Sequence, residues 1–269
     1  MPWRGWKTAE RYDAFVRSHG VYRWLNRELM ARVDLEHAHR VLDLGCGTGA
    51  TALAALGHMP LEADYVGVDA SPEMLSVASA NIVDFRCSFV RCWGTEVHRH
   101  VLGRFDRVLS NAAFWQLGHP PQVLTSVRRL CADDAIFVFN VPTARIYGED
   151  AAPDPFQIAL ARAVERATGQ SFEMVAERVE AEQLEGCGFT VDAVVERVYS
   201  TTQHELVALM ALPSMISALL PTMSDERHHE VIADAASTVD MTAAVKVGWT
   251  FFTLRAQADE TGEFTLPPT

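Results

Sequence analysis

Positive charge is in short supply along this chain. Its 269 residues include 23 Lys and Arg against 35 Asp and Glu, which gives a formal net charge of −12 at pH 7. Because phosphate backbones are bound by clustered Lys and Arg, this balance disfavours a nucleic-acid surface. Long apolar runs are also missing: the most apolar stretch, residues 206–220, is interrupted by Pro213 and is too short to span a bilayer. We expect neither nucleic-acid nor membrane partners.

Paired cysteines and a signal segment are missing too. The chain has five scattered cysteines and no Cys-x-x-Cys motif. An odd number without pairing favours reduced thiols over a disulfide framework or a zinc site, and no His/Asp cluster has metal-ligand spacing. The N-terminal segment, MPWRGWK, has no apolar signal core. These features predict a cytoplasmic protein without a bound metal.

The first half of the chain instead has a regular alternation of strand and helix patterns. Apolar strand patterns occur at 40–44, 65–68, 88–92, 104–110 and 135–141. Helical patterns separate most of them, at 48–58, 72–81 and 120–131. Five strands alternating with helices predict a parallel, doubly wound α/β sheet.

The flanking segments suggest a lid and a cap. Residues 1–38 form a predicted N-terminal helical lid, with a helical pattern over 8–33 that breaks near His19 and Gly20. Residues 39–257 form the sheet domain, and 258–269 a flexible tail. Later patterns predict helices at 156–168, 172–184, 203–220 and 224–244, and strands at 189–199 and 247–254. The region 203–245 would then be a cap inserted before the last strand, and its methionines favour an apolar acceptor.

The loop after the first strand carries the most informative pattern. Gly45, Gly47 and Gly49 alternate directly after an apolar strand and before an alanine-rich helix, a typical nucleotide-binding unit. With Ala50 in the last position the loop also satisfies the NAD-type fingerprint. Asp43 argues against NAD, because a carboxylate so close to the loop would repel a pyrophosphate. A ligand with an ammonium or sulfonium group, such as S-adenosylmethionine, would be attracted.

Asp69 supplies a second constraint. It ends the second strand, 20 residues after Gly49, where a carboxylate can accept both hydroxyl groups of a ribose. That contact suits NAD as well, so it indicates an adenosine ligand without choosing between the two. Ser71 and Pro72 then form a strong helix start.

Three segments together resemble the class I S-adenosylmethionine-dependent methyltransferases, and most closely those that act on small molecules. They are VLDLGCGTG at 41–49, VGVDASPEML at 66–75 and FDRVLSN at 105–111. The resemblance is strong over residues 40–141. It implies a doubly wound, seven-stranded sheet, mostly parallel with an antiparallel last strand, and S-adenosylmethionine as the cofactor.

The resemblance also implies a set of donor-site residues. Those near the methionine portion of the donor would be Asp43, Leu44, Gly45, Cys46, Gly47 and Gly49. Asp69 would bind the ribose, with Ala70 and Met74 beside the adenine. Asn111 and Ala112 would face the methionine and the transferred methyl group, and Tyr12 would close over the donor. Where the family often has an acidic residue near adenine, this chain has Trp93 and Gly94.

The catalytic residue is harder to assign, because methyl transfer depends mostly on positioning. An oxygen acceptor can need a general base, whereas a neutral amine or an enolised carbon needs little help. His119 follows the fourth strand at the expected mouth of the pocket and is the best candidate; Tyr147 and His19 are weaker. The main hypothesis is methyl transfer to an O, N or C atom of a small, apolar metabolite. The alternatives are an S-adenosylmethionine-binding protein that does not methylate, such as a cyclase-like catalyst or a sensor, and an NAD-dependent dehydrogenase.

Overall fold

The computed structural model describes residues 3–147, 153–171, 179, 181–212 and 223–258. The chain divides into two compact units. The first unit comprises Met1–Val21, Pro142–Glu177 and Glu196–Trp249. The second unit comprises Tyr22–Val141, Arg178–Val195 and Thr250–Thr269.

The strands form the sheet that the alternating pattern predicts. They are β1 (Arg40–Leu44), β2 (Asp64–Asp69), β3 (Cys87–Arg91), β4 (Phe105–Ser110), β5 (Cys131–Tyr147), β6 (Phe189–Thr202) and β7 (Ala244–Ala256). Their order is β3-β2-β1-β4-β5-β7-β6. The pairs β1–β2, β1–β4, β2–β3 and β4–β5 are all parallel. The strand order reverses at β1, which has β2 on one side and β4 on the other, and ligands bind at such switch points in open α/β sheets.

The last strand runs against its neighbour, so the sheet is mixed. At one end Gln257 donates its backbone N–H to Gly188, so the end of β7 lies beside the start of β6 (3.1 Å). At the other end Gln203 donates to Ala243, which joins the end of β6 to the start of β7 (2.9 Å). Opposite ends meet only when two strands are antiparallel. The mostly parallel sheet with an antiparallel last strand is therefore confirmed.

The helices are α1 (Trp6–Ser18), α2 (Val21–Val33), α3 (Ala50–Leu56), α4 (Pro72–Asn81), α5 (Val97–His100), α6 (Pro120–Arg128), α7 (Pro155–Thr168), α8 (Ala181–Glu185), α9 (Gln203–Met210) and α10 (Asp225–Ala236). The predicted break near His19 and Gly20 separates α1 from α2. In the first unit a side chain at Gly20 would collide with the Tyr199 hydroxyl, and Glu205 accepts the N–H of Val21 (2.8 Å). These contacts with Tyr199 and Glu205 therefore stabilise the break between α1 and α2.

Three predicted helix ends were wrong. The helix predicted at 203–220 stops at Met210, and the described residues 211 and 212 are not helical. The helix predicted at 120–131 stops at Arg128, and Cys131 already pairs with Phe105 as the first residue of β5. The helix predicted at 224–244 stops at Ala236, where the hydroxyl of Ser237 binds the carbonyl of Asp234 (2.7 Å). Hydroxyl groups that bind nearby carbonyls compete with the helical pattern.

The hydrophobic core of the second unit anchors the loop that follows β4. Phe114 in that loop stacks on Phe139 of β5, with ring centroids 4.0 Å apart. Phe139 in turn stacks on Phe252 of β7 at 4.8 Å. All three rings are buried. Aromatic stacking adds about 0.5–1.5 kcal/mol per pair beyond area burial. The buried Phe114 ring therefore holds the loop after β4 in a fixed position.

Several predictions concern parts of the chain that are not described. Most of the tail at 258–269, most of the helix at 172–184 and residues 213–222 of the cap lie outside the described residues. The lid, the cap and the tail remain predictions.

Candidate functional site

The glycine loop joins β1 to α3 at the carboxyl edge of the sheet. Gly45, Gly47 and Gly49 have φ values of 72°, 53° and 88°, which other residues adopt only with strain. The amides of Gly45 and Cys46 both donate to the carbonyl of Val68 at the end of β2 (2.8 and 3.0 Å). The loop is thus held against β2 by its own backbone.

Gly45 also lies under the loop that follows β4. A Cβ atom added to Gly45 would stand 2.6 Å from the Cβ of Ala113 and 3.2 Å from a methyl group of Leu117. Leu117 has the same relation to Gly94, where an added Cβ would stand 2.8 Å from it. The Leu117 side chain therefore lies close to both the glycine loop and the loop after β3. Leu117 was not identified as a site residue from the sequence.

Asp43 is a buried carboxylate with one oxygen engaged. Its side chain lies in β1, 1% exposed, and Oδ2 accepts a hydrogen bond from the Tyr65 hydroxyl (2.5 Å). Among the described residues, Oδ1 has no hydrogen-bond partner. Burial raises the pKa of Asp43 to about 7; the Tyr65 hydrogen bond opposes this rise, and the nearby Asp69 charge adds to it. An unpaired buried oxygen is costly unless a ligand or water satisfies it.

Asp69 closes the glycine loop from the other side. Its Oδ2 accepts the N–H of Gly47 (3.0 Å), and its Oδ1 accepts the N–H of Ser71 (2.9 Å). Burial raises the pKa of Asp69, and the backbone hydrogen bonds of Ser71 and Gly47 work in the opposite direction. Ser71 is the N-cap of α4 as predicted, since its hydroxyl accepts the N–H of Met74 (3.3 Å). Each carboxylate oxygen has a second lone pair for a ligand.

The remaining donor-site candidates in this region differ in exposure. Ala70 is partly exposed, Met74 is only 2% exposed, and Trp93 is 44% exposed. Leu44 and Cys46 are buried, and burial followed by the charge of Asp43 raises the pKa of the Cys46 thiol well above its usual value. These side chains surround the same edge of the sheet, and their individual roles remain predictions.

Asn111 and Ala112, at the end of β4, belong to a buried group of amides. Asn111 donates from Nδ2 to Oδ1 of Asn26 (2.7 Å) and accepts at Oδ1 from Nδ2 of Asn140 (2.6 Å). Oδ1 of Asn140 accepts the N–H of Ala112 (2.7 Å), which has an unusual φ of 51°. The sequence pattern did not reveal Asn26 or Asn140, because both lie far along the chain from Asn111.

Four further candidates from the sequence are His119, Tyr12, His19 and Tyr147. His119 is the exposed N-cap residue of α6, and its backbone carbonyl, rather than its ring, accepts from Gln122 (3.0 Å). Tyr12, His19 and Tyr147 belong to the first unit, where the Tyr12 ring packs edge-on against Trp3 at 5.2 Å. His119 remains a candidate base, and the closing role of Tyr12 remains a prediction.

Within the described ranges, every helix is too short or too polar to cross a bilayer.

A comparison with known proteins matches the same region of the chain. Residues 41–134, which include the glycine loop, Asp69 and Asn111, match a family model described as a methyltransferase domain. Over residues 41–134 the chain therefore resembles methyltransferase domains. The match covers the switch point of the sheet and ends inside β5.

The curated relatives of this chain have names that refer to different substrates. The chain is 30% identical over 146 residues to a trans-aconitate 2-methyltransferase from Azoarcus sp. (strain BH72), which covers 51% of this chain and 55% of that protein. It is 37% identical over 82 residues to the ubiquinone/menaquinone biosynthesis C-methyltransferase UbiE from Geobacter sp. (strain M21), 30% of this chain and 35% of that protein. The chain thus spans about half the length of these curated relatives or less.

Among solved structures, the chain resembles phosphoethanolamine N-methyltransferase 2 from Haemonchus contortus. That protein was solved with phosphomonomethylethanolamine and S-adenosylhomocysteine. The TM-score is 0.51 at 16% identity, over 91% of this chain and 59% of that one. At this identity the likeness concerns the fold alone.

Proposed function

We propose that this chain binds S-adenosylmethionine at the carboxyl edge of β1, β2 and β4 and transfers its methyl group to a small molecule. The observation that carries the proposal is the buried, half-satisfied carboxylate of Asp43 beside a glycine loop. A cationic ligand would satisfy Oδ1 and favour its ionised form, whereas a pyrophosphate would be repelled.

The rest of the site is compatible with that ligand. Gly45 brings backbone close without a side chain, and the buried hydroxyl of Thr48 is a second polar atom with no partner among the described residues. Asp69 would accept the ribose hydroxyls with its remaining lone pairs while it keeps the N–H of Gly47. Residues from both sides of the switch point would therefore hold one adenosine-containing ligand.

Methyl transfer requires the protein mainly to position the donor and the acceptor. S-adenosylmethionine would supply a methyl group on a positively charged sulfur, which is already a good leaving group. The acceptor atom would attack the methyl carbon in line, the carbon–sulfur bond would break, and the electron pair would stay on sulfur. An acceptor O–H or N–H proton would pass to a base or to water, and His119 is the candidate base. Asp43, Asp69 and the loop after β4 would fix the donor in line with the acceptor.

The acceptor is the less determined partner. The relatives named above include a trans-aconitate methyltransferase and a C-methyltransferase, so the family supports small acceptors without selecting the atom. We propose an O, N or C atom of a small, apolar metabolite, because the region before β7 is rich in apolar and methionine residues.

Titration calorimetry with S-adenosylmethionine, S-adenosylhomocysteine and NAD tests the donor assignment. The wild-type protein should bind the first two and not NAD. Asp43→Asn removes the charge at nearly constant shape and should weaken S-adenosylmethionine binding at pH 8 by about tenfold or more. Asp64→Asn, an exposed acid at the other end of β2, is the matched control and should bind like wild type. Binding of NAD alone would overturn the proposal.

A second experiment tests methyl transfer itself. The protein would be incubated with donor carrying a labelled methyl group and a panel of small carboxylic acids, phenols, amines and enolisable carbonyl compounds. Label found in an acceptor supports methyl transfer. Tight donor binding without label in any acceptor would contradict it and favour the non-methylating alternative.

A further inference from the structure

Three asparagines from distant parts of the chain form a buried amide network in the second unit. The amide network consists of Asn26 in α2, Asn111 after β4 and Asn140 in β5. Asn26 and Asn111 are each 6% exposed, and Asn140 is fully buried. Buried amides are uncommon without a reason, because each one must be satisfied by partners inside the protein.

The hydrogen bonds of the network have one consistent direction. Asn140 donates to Asn111, and Asn111 donates to Asn26, through distances of 2.6 and 2.7 Å. Asn26 also donates to the carbonyl of Ala50, the first residue of α3 (3.3 Å). If the Asn111 amide turned over, its NH₂ group would face the NH₂ group of Asn140 and its oxygen would face the oxygen of Asn26. The two neighbours therefore hold Asn111 in a single orientation.

The network also supports an unusual backbone conformation. Ala112 has a φ of 51°, which costs a residue with a side chain on the order of 1 kcal/mol or more. Its N–H is held by Oδ1 of Asn140 (2.7 Å). The next residue, Ala113, is the one that faces Gly45. The position of the loop over the glycines thus depends on Asn140.

We propose that Asn26 and Asn140 are positioning residues for the donor, and this inference rests on the proposed function. They fix the Asn111 amide and the Ala112 backbone at the edge where the donor would bind. Asn26 adds a link of its own, because it joins α2 to both the start of α3 and the end of β4. The donor site therefore has its correct shape only when α2 is packed in place against α3 and the end of β4.

The test compares three substitutions that alter or preserve the hydrogen bonds accepted by Oδ1 of Asn26. Asn26→Leu keeps the approximate volume and removes the acceptor of Asn111. Thr51→Val removes the hydroxyl that donates to the same oxygen of Asn26 (3.0 Å) without touching Asn111. Asn26→Asp keeps an oxygen that both donors can reach. Each variant is measured for its thermal midpoint without ligand and for its Kd for S-adenosylhomocysteine.

Asn26→Leu should weaken S-adenosylhomocysteine binding by about tenfold, the equivalent of one lost hydrogen bond. Thr51→Val should lower the thermal midpoint but leave the Kd within about twofold of wild type, a change below the value of one hydrogen bond. Asn26→Asp should lie between wild type and Asn26→Leu. Equal changes in Kd for Asn26→Leu and Thr51→Val, or an unchanged Kd in Asn26→Leu, would show a purely structural network and overturn the inference.

Two precautions keep the test decisive. If Asn26→Leu does not fold, Asn140→Asp replaces it: the carboxylate still accepts from Ala112 but cannot donate to Asn111, and the Kd should again weaken. An unchanged Kd in that variant counts against the inference. Wild-type binding is measured first, so failure of wild type to bind S-adenosylhomocysteine would count against the proposed function and not against the role of the network.

Discussion

The hydroxyl of Tyr65 donates a 2.5 Å hydrogen bond to Asp43, and both side chains are buried in neighbouring strands. The bond occupies Oδ2 and leaves Oδ1 as the oxygen without a partner among the described residues. Tyr65 thus determines which oxygen a ligand can reach, and it supplies the hydrogen bond that favours the ionised carboxylate. Two predictions follow from this pair.

Tyr65→Phe should make donor binding more sensitive to acid. The lost hydrogen bond had lowered the pKa of Asp43, so the pKa should rise further above its present value of about 7. At pH 7 the carboxyl group would then be largely neutral, and the Kd for S-adenosylmethionine should weaken by about fivefold for the first unit of pKa rise and by about tenfold for each further unit. At pH 8.5 the difference should shrink. Calorimetry across this pH range measures the effect.

The double variant Asp43→Asn, Tyr65→Phe is the control for this prediction. Because it has no titrating carboxyl group at this position, its Kd should not vary with pH in the manner of the Tyr65→Phe variant. A loss of affinity in Tyr65→Phe that is equal at every pH would mean that Tyr65 acts through packing alone.

Donor binding below pH 7 should release a proton from Asp43. Burial holds the pKa of its carboxyl group near 7, so the group is mainly protonated at pH 6, and a cationic ligand favours the ionised form. Binding at pH 6 should release about one proton per donor, and binding at pH 8.5 almost none. Calorimetry in buffers with different ionisation enthalpies counts the protons. Asp43→Asn should abolish most of the release; an unchanged count in that variant would assign the proton to another group.

Gly45→Ala should damage the site more than a comparable substitution elsewhere. Gly45 and Gly169 have nearly equal φ values, 72° and 73°. An added Cβ meets nothing within 4 Å at Gly169, whereas at Gly45 it would stand 2.6 Å from the Cβ of Ala113. Gly169→Ala should therefore carry only the strain of about 1 kcal/mol for a left-handed alanine. Gly45→Ala should carry that strain and also displace the loop after β4.

Thermal midpoints and the Kd for S-adenosylhomocysteine distinguish the two glycine variants. The larger drop in midpoint should belong to Gly45→Ala, and only this variant should lose donor affinity. Equal midpoints for the two variants would mean that the loop after β4 moves aside without cost.

Local features of the fold could be predicted from the sequence. The glycine loop and the Ser71 N-cap each depend on residues that are neighbours along the chain, and the structure contains both. The ends of α6 and α10 were wrong because hydroxyl side chains and strand pairing, rather than helical periodicity, decide where those helices stop.

Long-range partners could not be predicted in this way. Tyr65 pairs with Val41 in the sheet, and only that register brings its hydroxyl to Asp43. Asn26 and Asn111 are 85 residues apart, and each looks like an ordinary polar residue in its own segment. Leu117 gave no signal because its relation to Gly45 and Gly94 depends on how the loop after β4 folds back.

The two backbone hydrogen bonds that Asp69 accepts have a consequence for the thermodynamics of recognition. They join Gly47 and Ser71 within the protein itself, so the curvature of the glycine loop is formed during folding. A ligand that enters such a preorganised cradle does not have to restrict the backbone, and less of its interaction free energy is offset by lost conformational entropy. The free energy of folding the sheet therefore covers the ordering of this loop, and the ligand's affinity is not reduced by it.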